Sequence, residues 1–146
     1  MTTIAYRSGV LAADSQGTSS FKQRCQKIHK IGDSYFGIEG SLTSAYLFLE
    51  WLKQDRRDWV EAERNPPSAL SDDDSFGALE LCEEGLFLWD GKLTRVPVLV
   101  EFYAVGSGCD FAMGAMAMGA DAMEAVKVAK TLDPYTGGAI KKAVLK

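Results

Sequence analysis

The apolar positions change period several times along the chain, and each change marks an element. Residues 2–14 read T-I-A-Y-R, the dipeptide Ser8-Gly9, then V-L-A-A-D, which predicts a hairpin. Residues 27–38 repeat the arrangement as K-I-H-K-I, the Gly32-Asp33 turn and S-Y-F-G-I. From Ser41 the spacing lengthens to three and four, with Leu42, Ala45, Tyr46, Leu49 and Leu52 on one stripe, so a helix is expected to about Arg57. Pro66-Pro67 and the acidic run Asp72 to Asp74 place a loop over residues 61–75. A meander follows: F-G-A-L-E-L-C, the Glu83-Glu84-Gly85 turn, L-F-L-W, the Asp90-Gly91 turn, K-L-T-R-V and, after Pro97, the run V-L-V-E-F-Y-A-V. Asp-Gly suits a tight hairpin because type I′ turns need positive φ at both central residues. After Gly106-Ser107-Gly108 a small-residue helix is expected to about Gly119. Asp121 and Glu124 are spaced as a capping box that opens another helix ending near Leu132, and residues 139–145 predict a last strand.

This order is α+β with local, antiparallel pairing. It suits two sheets packed together with helices outside, or one sheet with helices on one face. A length of 146 residues leaves room for one domain, residues 1–146, and 47% apolar with 25% charged residues is an ordinary globular composition. The net charge of −4 gives no reason to expect nucleic acid or an anionic membrane as the main partner. Cys25, Cys82 and Cys109 lack Cys-x-x-Cys spacing and His29 is the sole histidine, which argues against a disulfide framework or a zinc site and for a reducing cytoplasm. A secretory apolar region and an uncharged stretch of about 18 residues are both missing, so a soluble protein is expected.

The start, Met1-Thr2-Thr3, carries the first chemical hint. Removal of an initiator methionine needs a small second residue and would leave Thr2 with a free α-amine beside its own hydroxyl. Such an amine has a reference pKa of about 7.7–8.0 and can act as general base on that hydroxyl.

Five further segments accompany it: V-L-A-A-D-S-Q-G-T (10–18), Q-K-I (26–28), G-I-E-G-S (37–41), A-V-G-S-G (104–108) and L-D-P-Y-T-G-G (132–138). Together, in this order, they resemble the proteasome β-subunit family of N-terminal-nucleophile hydrolases, and more closely its bacterial HslV type. The resemblance runs over nearly the whole chain. It implies a four-layer αββα sandwich of two antiparallel sheets flanked by helices, and a threonine peptidase needing no metal or organic cofactor. Thr2 would be the nucleophile, Lys27 the neighbouring ammonium and Asp14 the partner that holds Lys27. Gly40 would offer its N–H to the oxyanion. Ser107, Asp133 and Thr136 would hydrogen-bond around the terminal amine, and Thr18, with Gly40, would pair with the backbone of an extended peptide. The subunit would form stacked homo-oligomeric rings that an unfolding ATPase could feed with unfolded chains. An amidase acting on a small amide and a catalytically silent ring subunit are the competing readings.

The chain departs from the pattern in places. The interval from Thr2 to Asp14 is short, Thr136 replaces a more common serine, and Ser41 replaces a second glycine. Glu39 occupies a position usually held by a small residue. It either borders the pocket, favouring basic or polar substrate side chains, or faces away. Met113, Met116, Met118 and Met123 are spaced for a helix face in the core or at a subunit contact. Trp51, Trp59 and Trp89 suit packing or an interface, and His29 suits a strand near the surface. Cys109, at a helix start, is expected to have a lowered thiol pKa.

Overall fold

The two expected N-terminal hairpins are present and end in different sheets. The computed structural model of the chain describes residues 2–18, 22–54, 76–91 and 93–145. In order the elements are β1 (Ile4–Arg7), β2 (Val10–Ala13), β3 (Gln16–Thr18), β4 (Lys22–Arg24), β5 (Ile28–Ile31), β6 (Ser34–Gly40), α1 (Leu42–Gln54), β7 (Phe76–Cys82), β8 (Gly85–Trp89), β9 (Arg95–Pro97), β10 (Phe102–Val105), α2 (Cys109–Ala117), α3 (Ala122–Leu132) and β11 (Lys141–Val144). Among the described residues these form a sheet β10-β1-β2-β11, a sheet β5-β6-β7-β8-β9 and the small pair β3-β4, with the neighbouring strands antiparallel. No helix of the described residues is long and apolar enough to cross a membrane.

Strand alternation sorts the core into three clusters. Ala5, Ala12 and Ala104 pack with Ala112 and Met116 of α2 and with Ala122, Ala125 and Val126 of α3. These small residues let the helices approach the four-stranded sheet closely. The opposite face of the same strands supplies Ile4, Leu11, Ala13 and Val105, which meet Leu79, Leu81 and Leu86 of the five-stranded sheet. The far face of that sheet, through Phe36, Ile38, Phe76, Ala78 and Trp89, takes Ala45, Phe48, Leu49 and Leu52 of α1. Period two in the strands and period three to four in the helices account for each assignment.

Several turns follow from their residues. Ser8 (φ 52°) and Gly9 (φ 77°) both lie at positive φ, the geometry of a type I′ turn. Asp121 accepts from the Glu124 N–H at 2.8 Å while the Glu124 carboxylate accepts from the Asp121 N–H at 3.1 Å, so the capping box is complete. Glu80, 1% exposed, accepts from Ser34 Oγ (2.7 Å), Trp89 Nε1 (3.1 Å) and Arg95 Nε (2.8 Å), which ties four strands of the larger sheet together.

Two features depart from the sequence reading. The apolar run 98–105 is a strand only from Phe102. Val98 still bonds to the Leu86 carbonyl, and the chain then crosses between sheets with Leu99 89% exposed. The β3-β4 pair was not expected, because Q-G-T and K-Q-R carry no apolar alternation. The last turn of the expected first helix, the loop over 61–75, Asp72 to Asp74 and Trp59 lie outside the described residues.

Candidate active site

The first hairpin brings Thr2 and Asp14 side by side, since Ile4 pairs with Ala13 and the Asp14 N–H donates to the Thr3 carbonyl at 3.2 Å. Both are buried, Thr2 2% and Asp14 1% exposed. Five donors converge on the Asp14 carboxylate. Oδ1 accepts from Thr2 Oγ1 (3.2 Å), the Thr3 N–H (3.1 Å) and Lys27 Nζ (2.8 Å), and Oδ2 accepts from the N–H groups of Gln16 (3.3 Å) and Gly137 (3.0 Å). A carboxylate held this way is fixed in orientation within a dry setting.

Lys27 enters from the start of the second hairpin, where its carbonyl accepts from the Ile38 N–H at 2.8 Å. Burial pulls its ammonium below the usual lysine range, while the Asp14 charge and hydrogen bond oppose that fall. A groove of about 670 Å³ between edge strands β5 and β11 reaches this pair, and Arg24, Lys30, Lys141 and Lys142 line it, so the field there is positive.

A second chain of bonds runs on the nitrogen side of Thr2. The Thr2 N–H donates to Ser107 Oγ at 3.0 Å, and Ser107 Oγ donates to Asp133 Oδ2 at 2.6 Å. Thr136 Oγ1 also donates to Asp133 Oδ2 at 2.6 Å, which leaves Thr3 Oγ1 to donate to Thr136 at 2.7 Å. Because the short bond to Asp133 commits the Ser107 proton, a lone pair of Ser107 faces the Thr2 nitrogen. Burial, the largest influence on Asp133, pushes its pKa up. Donation from Ser107, Thr136 and the Tyr135 N–H outweighs that and holds it below the usual carboxylate range.

A lowered pKa in the fold means that the contribution of Asp133 to stability is present above the unfolded value, about 3.9, and is lost as pH falls through the folded one. Asp133→Asn is therefore expected to lower Tm at pH 7 and to converge on the parent below about pH 4. Thermal unfolding across that range measures it, and a gap that stays constant with pH would refute it.

The G-S-G segment serves by close approach. Gly106 sits at φ 99°, and a Cβ there would run into the Thr2 carbonyl. The Gly108 N–H donates to that carbonyl at 3.2 Å. Gly106→Ala is expected to destabilise the fold by about 2 kcal/mol or more, from positive-φ strain and displacement of Thr2. Urea unfolding measures this, and a loss within about 0.5 kcal/mol would contradict it.

The structure thus joins Thr2, Asp14, Lys27, Ser107, Asp133 and Thr136 in one network. Asp133 and Thr136 reach Thr2 through Ser107 and Thr3. Gly40 ends β6 at φ 83°, opposite Phe76, and Thr18 lies in β3 opposite Lys22. Thr3, Gln16 and Gly137 were not singled out from sequence, yet they hold Asp14 and Thr136. Cys109 corrects an expectation: burial, then the neighbouring Asp110, raise its thiol pKa instead of lowering it.

No protein-family model and no curated protein matches the chain. Solved structures do. It is similar to Thiobacillus denitrificans BPH in complex with epoxomicin, with TM-score 0.74 and 22% identity over 98% of this chain and 96% of that one. A second structure of Thiobacillus denitrificans BPH gives TM-score 0.72 and 20% identity over 98% and 96% of the two chains. Eukaryotic HslV from Trypanosoma brucei gives 0.73 and 19% over 98% and 97%. The chain shares the fold of these proteins.

Proposed function

We propose that the chain is a threonine-type peptidase subunit in which Thr2, once Met1 is removed, is the nucleophile. One observation carries this reading: the hydroxyl and the nitrogen of the same residue each have a dedicated partner, Asp14 with Lys27 on one side and Ser107 with Asp133 on the other. A structural threonine needs no such pair of networks. In the reaction Thr2 Oγ bonds to the scissile carbonyl carbon while its proton moves to the Thr2 α-amine. Lys27 and the Gly40 N–H offset the growing negative charge. The ammonium returns the proton to the departing amine, and water then hydrolyses the ester. Ser107 accepts one amine N–H and so aims the amine lone pair away from itself.

The fold shared with HslV and BPH supports the same reading, as does the packing of α2 and α3 on one sheet, sheet on sheet, and α1 on the other. We take this as a single αββα domain that works in a homo-oligomeric ring on unfolded chains or peptides, with an unfolding ATPase as a possible feeder. Thr18 and the end of β6 at Gly40 would receive substrate as an added strand. Exposed Leu99, Val100 and Met118 are available for contacts between copies.

Because BPH has been captured with epoxomicin, that epoxyketone is the probe of choice. It requires both the hydroxyl and the free amine of a terminal threonine. Intact mass after incubation is expected to show loss of Met1 and one adduct per chain. A chain that lacks Met1 and never reacts would refute the proposal.

A further inference from the structure

Glu39 is a half-buried charge that the reaction above leaves unused. Its neighbours Phe36 and Ile38 point into the α1 cluster, so the alternation of β6 turns Glu39 to the face that looks at the other sheet, together with Tyr35 and Gly37. That face carries the nucleophile's strand, since a Cβ at Gly37 would lie 2.8 Å from Ile4 Cγ2. Across the ladder Glu39 is opposite Gly77. A Cβ at Gly77 would stand 2.6 Å from Glu39 Oε1 and 3.4 Å from its Cδ and Cγ, so the side chain lies folded over bare backbone that only glycine leaves open. The residue before Glu39 donates its N–H to the Lys27 carbonyl at 2.8 Å, which brings this part of β6 beside the lysine of the site. Glu39 therefore stands one residue beyond the bond that anchors Lys27 and one residue before Gly40, on the stretch of β6 that runs beside the site.

Among the described residues no hydrogen bond or ion pair satisfies this carboxylate. Burial accordingly pushes its pKa up. Partial desolvation without a partner is a cost that an incoming cation removes, and a charge-assisted bond to an ammonium or guanidinium is the strongest available way to do so. We infer that Glu39 selects peptides carrying a lysine or arginine within one or two residues of the scissile bond. This rests on the threonine-peptidase reading and adds a substrate class to it. Of the two orientations open from sequence, the inference takes the one that borders the pocket.

Cleavage of a complex peptide mixture, mapped by mass spectrometry, finds the position at which the cation is read. Two quenched peptides that differ only in lysine or norleucine there then give the quantitative test. The parent is expected to show kcat/KM at least tenfold higher for the lysine peptide. Glu39→Gln should bring the two within twofold by lowering the lysine rate alone, and Glu39→Lys should favour a glutamate peptide. A cleavage map without lysine or arginine enrichment, or an equal loss on both peptides in Glu39→Gln, overturns the inference. Epoxomicin labelling of each protein runs alongside. An adduct on the parent without basic preference refutes this inference alone, whereas no adduct refutes the threonine nucleophile and the inference with it. Equal labelling of Glu39→Gln and parent shows that the variant is folded.

Discussion

Thr2→Ala is expected to form no epoxomicin adduct and to lose more than about a thousandfold in peptide hydrolysis, since a nucleophile acts as a unit with its base and little survives its removal. Loss of folding does not explain this result in advance. The substitution deletes one donor to Asp14 Oδ1, and the Thr3 N–H, Lys27 Nζ and the N–H groups of Gln16 and Gly137 remain on that carboxylate. The stability cost should stay within about 1–2 kcal/mol, and any oligomer should persist. Intact mass, hydrolysis of an unfolded protein and thermal unfolding on the same sample separate the two effects. Thr2→Ser keeps a hydroxyl and an amine and should still label. An adduct on Thr2→Ala would move the nucleophile to another residue.

Lys27→Met is expected to damage both activity and stability. The side chains of Lys27 and Asp14 are 5% and 0% exposed, and their bond is 2.8 Å long. Breaking a buried pair from one side leaves the other charge without its counter-ion, at a cost of about 3–5 kcal/mol. The four remaining donors to Asp14 place the expected loss near the lower end, about 3 kcal/mol. The double variant Lys27→Met with Asp14→Asn should recover part of that loss without recovering activity, because the site still lacks its ammonium. Urea unfolding of the two variants beside the parent measures both terms. A Lys27→Met protein within about 1 kcal/mol of the parent would show that Asp14 needs no counter-ion.

The hairpins were legible because their turns are spelled locally, as at Ser8-Gly9 and Gly32-Asp33, and the capping box was legible because Asp121 and Glu124 satisfy each other across one turn. The run 98–105 was misread because exposed Leu99 and Val100 look like strand residues until the chain is seen to change sheets there. Thr2 was indicated by the Met1-Thr2-Thr3 start, and Asp14 and Lys27 joined it through a resemblance of ordered motifs, since no periodicity brings residues 2, 14 and 27 together. Gln16 and Gly137 escaped notice because they act on Asp14 through backbone N–H groups, which every residue but proline carries. The Gly106 contact with Thr2 is likewise a matter of space, and spacing in the text cannot announce it.

The bonds that complete the site join residues far apart in order of synthesis: Thr2 to Ser107, Thr3 to Thr136, Asp14 to Gly137. Thr2 and β1 are synthesised before their partners, and β10, the hydrogen-bonded neighbour of β1, emerges about a hundred residues later. Until residues 107 and 137 have been made, the Thr2 nitrogen lacks Ser107 and the Asp14 carboxylate lacks one of its clamps. On the peptidase reading proposed above, a chain synthesised only as far as β9 therefore lacks the groups that would make Thr2 competent to attack.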